Sequence, residues 1–199
     1  MTRRFALALL AAALPATASA AADSYAIDPY HTFVHFEVDH LGGISKMRGH
    51  FGKSAGKFTL DQAAKSGSLD VTVQASSVST GDNDKGSRPR SRDDHLRSPD
   101  FFNVAEFPTL TFKSTKVVWK GDQPGSIEGN LTMLGVTKPL TLQVADFKCG
   151  EQAFNKKPMC AADATGTLKR SEYGMTDGLA IGNPADDVRL LIPVEAYKE

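Results

Sequence analysis

The sequence is short of several things, and each shortage closes off a class of function. It has no surplus of charge, since 23 Lys+Arg stand against 23 Asp+Glu. Nucleic-acid binding needs a net basic face, so that class is disfavoured. It has two cysteines, Cys149 and Cys160; a structural zinc site would need more thiols or neighbouring histidines. It has one Trp and four Tyr against eleven Phe, so most of its aromatic area comes without a polar handle needing a partner. That suits a dry core, and equally a cavity for a hydrocarbon chain. Beyond the first segment no apolar run approaches the roughly 20 residues of a membrane-spanning helix. There is no H-E-x-x-H or C-x-x-C motif and no serine nucleophile elbow, the strand-to-helix turn of a hydrolase.

What is present begins with a leader. Arg3 and Arg4 precede the apolar Phe5–Leu14, Pro15 breaks it, and Ala18-Ser19-Ala20 forms an A-x-A cleavage site. Residues 1–20 read as a signal peptide and 21–199 as one domain, with export expected. Without Arg3 and Arg4, 21 basic residues face 23 acidic ones, a net charge near −2. In an exported protein the cysteine pair suggests a disulfide, with free thiols as the alternative. A bridge across this interval stabilises by about 3 kcal/mol in the chain-entropy model.

Periodicity predicts strands. "TFVHFEVDH" puts Val34, Phe36 and Val38 on one face, with Phe33 as the apolar exception; "SLDVTVQAS" does the same with Leu69, Val71 and Val73. "TLTFKST", "IEGNLTM", "PLTLQVADF" and "DDVRLLIPVEAY" also alternate, and strands around "GKFTLD" and "CAADATGTLKR" make eight. Turn signals fall at Gly42-Gly43, Gly121-Asp122, Pro124-Gly125 and Gly150. Segments near 92–103 and 170–176 have room for a helical turn each. The expectation is an all-β closed barrel or sandwich. Ala162, Ala164, Gly166 and Gly129 on inward parity favour a barrel with internal space, unless larger residues opposite fill it.

The polar candidates are weak on spacing. His31 and His35 lie about 13 Å apart on an extended strand and cannot share a metal ion. Between Asp82 and Asp100, five basic residues (Lys85, Arg88, Arg90, Arg92, Arg97) balance five acids. The bland account is a solvated, internally paired loop. The functional account is a loop at a barrel mouth ordered by Arg92, Asp93 and His95.

Taken in order, "YAIDPYHTFVHFEVDHLG", "GHFGKSAGKFTLD", "SRDDHLRSPDFFNVAEFPTLTFKST", "GNLTMLGVTKPLTL", "LKRSEYGM" and "DDVRLLIPVEAY" resemble the YceI-like proteins, a secreted polyisoprenoid-binding family. The stretch "GDNDKGSRPRSRDD" looks like a slightly long, polar form of the loop before that family's Arg-Asp motif. The resemblance implies an eight-stranded antiparallel lipocalin-like barrel with an extended apolar tunnel. It implies a periplasmic protein that binds an isoprenoid lipid or quinone, with no reaction and no catalytic cofactor. A disulfide between Cys149 and Cys160 fits one branch of the family. On this reading the tunnel is lined by Val34, Phe36, Val38, Phe51, Phe58, Val71, Val73, Phe101, Phe102, Phe107, Leu110, Phe112, Leu131, Met133, Leu140, Leu142, Val144, Leu190 and Ile192. The family motif places His31, Arg92, Asp93 and His95 at the headgroup end. Transient membrane contact is expected, and an exposed edge on an incompletely closed barrel would favour a homodimer. The competing expectation is a structural or stress-response module with a filled core.

Overall fold

The computed structural model describes residues 22–199; the leader read over 1–20 lies outside them. The strands are β1 (Asp23–Ile27), β2 (Val34–His40), β3 (Ser45–Phe51), β4 (Ser54–Asp61), β5 (Ser66–Gln74) and β6 (Val78–Ser79). They continue with β7 (Thr109–Lys120), β8 (Gln123–Met133), β9 (Val136–Glu151), β10 (Pro158–Lys169) and β11 (Asp187–Lys198). All pairings are antiparallel, and β1 closes the ring by pairing with β11, Tyr25 opposite Lys198. The ring runs β1-β4-β5-β7-β8-β9-β10-β11.

β2 continues the wall beyond β1, pairing with the other half of β11. β3 likewise prolongs β4, and β6 prolongs β5. Counting each broken pair once, the fold is an eight-stranded up-and-down barrel, and each of the eight predicted segments falls on one of its walls. Closure removes the open edge on which a homodimer was expected.

The parts missed by periodicity have a physical explanation. β3 turns Met47, Gly49 and Phe51 inward, so a glycine sits where an apolar side chain would mark the period. A Cβ on Gly49 would stand 2.4 Å from Phe36 Cζ on the neighbouring strand, so that ring occupies the space. The same holds at Gly129, whose Cβ would stand 2.4 Å from Phe112 Cζ. Gly129 and Gly166 are thus filled by neighbours and do not open the barrel; Ala162 and Ala164 do face the interior space.

Two turn assignments also move. The turn is at Gly121-Asp122, and Pro124 already lies in β8, opposite Trp119 at an irregularity where a missing N–H is tolerated. Gly150 is inside β9, whose turn follows at 152–157.

The two barrel ends differ. At the end where β1 begins and β11 ends the connections are short, and Tyr25, Ile27, Cys160 and Ala196 form a buried apolar cluster with Phe58 and Phe147 against it. Tyr25 stacks on Phe58 with centroids 4.7 Å apart. Cys149 and Cys160 are direct cross-strand partners on β9 and β10 and are joined by a disulfide. The other end carries the long segments 80–108 and 170–186. The first holds a one-turn helix, α1 (Arg92–Arg97); the second holds 3-10 turns at Arg170–Tyr173 and Leu179–Ile181. These are the two places the sequence left room for helical turns.

Candidate functional site

The inward faces enclose a cavity of about 930 Å³ that follows the barrel toward the long-loop end. This is near the top of the usual range for small-molecule sites. Its wall is built by strand alternation: Leu110 and Phe112 from β7, Leu131 and Met133 from β8, and Leu140 and Leu142 from β9 are all buried. Every apolar residue predicted from the sequence lines it except Phe107. The Phe107 ring instead lies against Gly135 in the β8–β9 turn, where a Cβ would come within 3.1 Å of it. The aromatic run counted it with the strand, but the backbone there is a loop folded onto Asn103, and β7 begins only at Thr109.

The wall also contains residues the prediction left out, among them Met47, Val117, Phe147, Leu168 and Met175. Val117 and Phe147 follow bulges that shift parity by one: the ladder slips between Ser114 and Lys116, and Asp146 has φ 51° on the bulged strand β9. No period-two count crosses such a bulge correctly.

The polar candidates separate. Arg92 and His95 line the cavity at the long-loop end, beside Arg88, Arg90, Arg170, Asp177 and Asn183. His95 Nε2 lies 3.1 Å from Asp100 and 3.7 Å from Asp177, so it stands between the two long segments. Asp93 does not face the cavity. It is 1% exposed and accepts from Thr80 N at 2.7 Å, Thr80 Oγ1 at 2.7 Å and Ser79 Oγ at 3.0 Å. This clasp fixes α1 to β6, with Ser91 accepting from Asp94 N at 3.1 Å as the helix N-cap.

His31 is far from the mouth. The Asp28–Phe33 segment interrupts the wall between β1 and β2, runs beside β11, and is tied to it by Asp28 N donating to the Glu195 carbonyl at 2.9 Å. His31 Nδ1 lies 2.7 Å from Asp28 Oδ2 and 3.9 Å from Glu195 Oε2, outside the barrel. The Asp28 hydrogen bond holds its imidazole above the ordinary histidine pKa. Asp28, His31 and Glu195 have side-chain ligand atoms within 4.8 Å of one another, on the outer wall and apart from the cavity lining. His35, opposite His50 on the same wall, is pushed down by burial and then by that neighbour.

A residue of the cavity end that the sequence reading passed over is Arg170. It is 2% exposed and donates to four main-chain carbonyls: Ala185 at 2.9 Å, Met175 at 3.0 Å, Asp177 at 2.8 Å and Pro184 at 2.7 Å. Its guanidinium carbon stands 5.8 Å from the centroid of Phe101. One side chain thereby shapes the whole 175–185 segment over the cavity end. The only hint in the sequence was an arginine between two strands in "LKRSEYGM".

Hydrolytic machinery is not assembled. Gly52-Lys53-Ser54-Ala55-Gly56 spells G-x-S-x-G, a pattern the sequence reading took as absent, yet it joins two strands, and Ser54 Oγ donates to the Thr32 carbonyl at 3.2 Å. Ser98 Oγ donates to the His95 carbonyl at 2.7 Å and not to the ring. Ser98 Oγ at 3.5 Å and His95 Nε2 at 3.1 Å both meet Asp100 Oδ2, so the three groups converge on one carboxylate oxygen, but no hydrogen bond joins the serine to the ring and the order of a serine–imidazole–carboxylate relay is not formed.

The family model for the YceI-like domain matches residues 25–196. The chain belongs to the YceI-like family. It is 38% identical to Protein YceI of Salmonella arizonae over 193 residues, 96% of this chain and 95% of the relative. Among solved structures, the Campylobacter jejuni YceI protein has a TM-score of 0.62 at 28% identity, covering 78% of this chain and 87% of its own. A polyisoprenoid-binding domain from Saccharophagus degradans, implicated in plant cell wall breakdown, has a TM-score of 0.61 at 14% identity, covering 88% and 98%. The last likeness speaks for the fold; this YceI-like chain shares the barrel and, at the level of sequence, the family.

Proposed function

We propose that the protein binds an isoprenoid lipid, either a polyprenyl chain or the tail of an isoprenoid quinone, and carries or stores it in the periplasm without catalysing a reaction. The observation that carries this reading is the apolar cavity of about 930 Å³ inside the barrel. A hydrocarbon chain leaving a membrane must bury its surface to be soluble, at about 0.8 kcal/mol per CH₂. A wall of Phe, Leu, Val and Met supplies that burial without directional chemistry. The polyisoprenoid-binding description of the Saccharophagus domain supports the same ligand class.

Brief membrane contact fits the long-loop end. Leu41, Ile44 and Ile181 are exposed there, on two loops joined by Leu41 N donating to Asn183 Oδ1 at 3.1 Å. The competing reading, a structural module with a filled core, has the cavity against it.

The test is native mass spectrometry of protein taken from the periplasm without detergent, followed by solvent extraction. A stoichiometric adduct that extracts as a polyprenyl lipid or quinone supports the carrier reading. A mass that stays free of adduct, even after incubation with isoprenoid quinones, would sink it; absence from the periplasm would remove the assigned location.

A further inference from the structure

One break in the barrel wall gathers side chains that lipid binding does not use. β1 pairs with β11 only through Tyr25–Ile27 against Lys198–Ala196, and β2 takes up the pairing again at His35 opposite Leu191. Between these points the ladder on that edge of β11 stops, and turn and side-chain contacts hold the wall instead. Asp28 N donates to the Glu195 carbonyl at 2.9 Å, Thr32 Oγ1 donates to the same carbonyl at 3.1 Å, and Glu195 N donates to Thr32 Oγ1 at 3.0 Å. Glu195 is thereby clamped through its main chain against the Asp28–Phe33 segment.

The clamp brings three metal-ligating side chains together. His31 Nδ1 lies 2.7 Å from Asp28 Oδ2 and 3.9 Å from Glu195 Oε2, and the ligand atoms of all three residues fall within 4.8 Å of one another. A zinc ion with bonds of about 2.0–2.2 Å sets its donors at most about 4.4 Å apart, so a small turn of the Glu195 carboxylate completes the set. Asp28 is not an ordinary solvated acid. It is 9% exposed, and its Oδ1 accepts from Tyr30 N at 2.9 Å, which leaves Oδ2 directed at His31. Such outer contacts fix the orientation of a ligating carboxylate. Charge points the same way. Among the described residues no Lys or Arg nitrogen comes within 4.0 Å of Asp28 or Glu195, and His31 is their one basic neighbour.

A dication would match the two carboxylates and supply, across the break, the bonding that the interrupted ladder lacks. We propose that Asp28, His31 and Glu195 form a three-ligand site for a divalent transition-metal ion of the Zn²⁺ type, and that the ion staples the β1–β2 break to β11. The imidazole sets the class, because Mg²⁺ and Ca²⁺ take oxygen ligands. His31 and His35 cannot share an ion along one strand; the further ligand of His31 comes from the last strand of the barrel. None of the three residues lines the cavity, so the site is independent of lipid binding.

The experiment titrates the untagged, chelator-treated full chain with Zn²⁺ and with Mg²⁺ by isothermal titration calorimetry, and follows thermal unfolding with and without Zn²⁺. One Zn²⁺ per chain is expected, bound at least about tenfold more tightly than Mg²⁺. His31→Ala and Glu195→Gln should each weaken Zn²⁺ by about tenfold or more, while His50→Ala, in the neighbouring His35–His50 pair, should leave it unchanged. The unfolding midpoint should rise with Zn²⁺ concentration in the wild type, as it does for any ligand that binds only the folded state, and hardly in His31→Ala. The wild-type titrations need no variant, so a misfolded variant leaves the test intact. Absence of Zn²⁺ binding overturns the site. Binding that survives both ligand substitutions, or that is lost in His50→Ala, places the ion elsewhere and overturns it too. Equal affinity for Mg²⁺ removes the imidazole from the ligand set. Binding at this site with an unmoved midpoint overturns the staple.

Discussion

His31 shows what one misplaced residue costs a site prediction and what it offers instead. Motif order put it with Arg92 and His95, but the break between β1 and β2 moves it to the outer wall against Asp28. Its raised pKa has a defined consequence for stability. A histidine whose folded pKa exceeds the unfolded one, about 6.5, contributes its full stabilisation below that value and loses it as pH rises through the folded pKa. An NMR titration is therefore expected to place His31 above 6.5, and Asp28→Asn to return it toward the ordinary value. An unmoved titration in that variant would remove Asp28 as the cause. Gly129 makes a second residue-scale case. Its Cβ would meet the Lys113 carbonyl at 2.6 Å as well as the Phe112 ring, so Gly129→Ala must displace backbone or ring. Thermal unfolding should show a loss of about 1–3 kcal/mol, the ordinary cost of overpacking; a neutral result would mean that the ring swings away freely.

At the scale of elements, the barrel was legible wherever a strand kept its period and lost to view wherever chemistry interrupted it. β5, β7 and β11 carry apolar residues on alternate positions, and their segments were read correctly. β3 hides because Gly49 holds the place of an inward side chain, and Val117 and Phe147 hide because a bulge precedes each. The mouth was legible only in part. Its arginines stood in the sequence, yet which acid each one meets depends on how the loop folds: Arg88 and Arg92 share Asp82, and Arg90 takes Asp100. Asp93 looked like a ligand-facing acid and is instead the pin between α1 and β6. Asp93→Ala strands one buried N–H and two hydroxyls and is expected to cost about 2–4 kcal/mol in denaturant unfolding. Because the pinned segment supplies Arg88, Arg90 and Arg92, hydrogen exchange in 80–98 should rise even under conditions where the barrel stays folded. Uniform protection across that segment would show that α1 is held by other contacts, Arg97 on the Ser76 and Val78 carbonyls being the first to consider.

For the whole molecule, the asymmetry between the ends sets a direction for loading. The end where β1 begins and β11 ends is packed by Tyr25, Ile27, Phe58 and Phe147 near the disulfide and exposes one apolar tip, Phe154, while the other end gathers three, Leu41, Ile44 and Ile181, beside the cavity-lining Asn183 and Pro184. A lipid drawn from a bilayer must cross from tails to tunnel, and apolar tips at the rim lower the cost of that crossing by entering the interface first. The tips do not line the cavity, so they should act on the rate of transfer and hardly on affinity. Ile44→Asp combined with Ile181→Asp is therefore expected to slow lipid uptake from vesicles severalfold, with equilibrium binding of a micellar lipid nearly retained. A parallel fall in rate and affinity would mean that the two loops shape the cavity itself. An unchanged rate would place lipid entry elsewhere on the barrel, and the region where β5 and β7 part beyond the Asp70–Lys113 pair would be the next wall to probe.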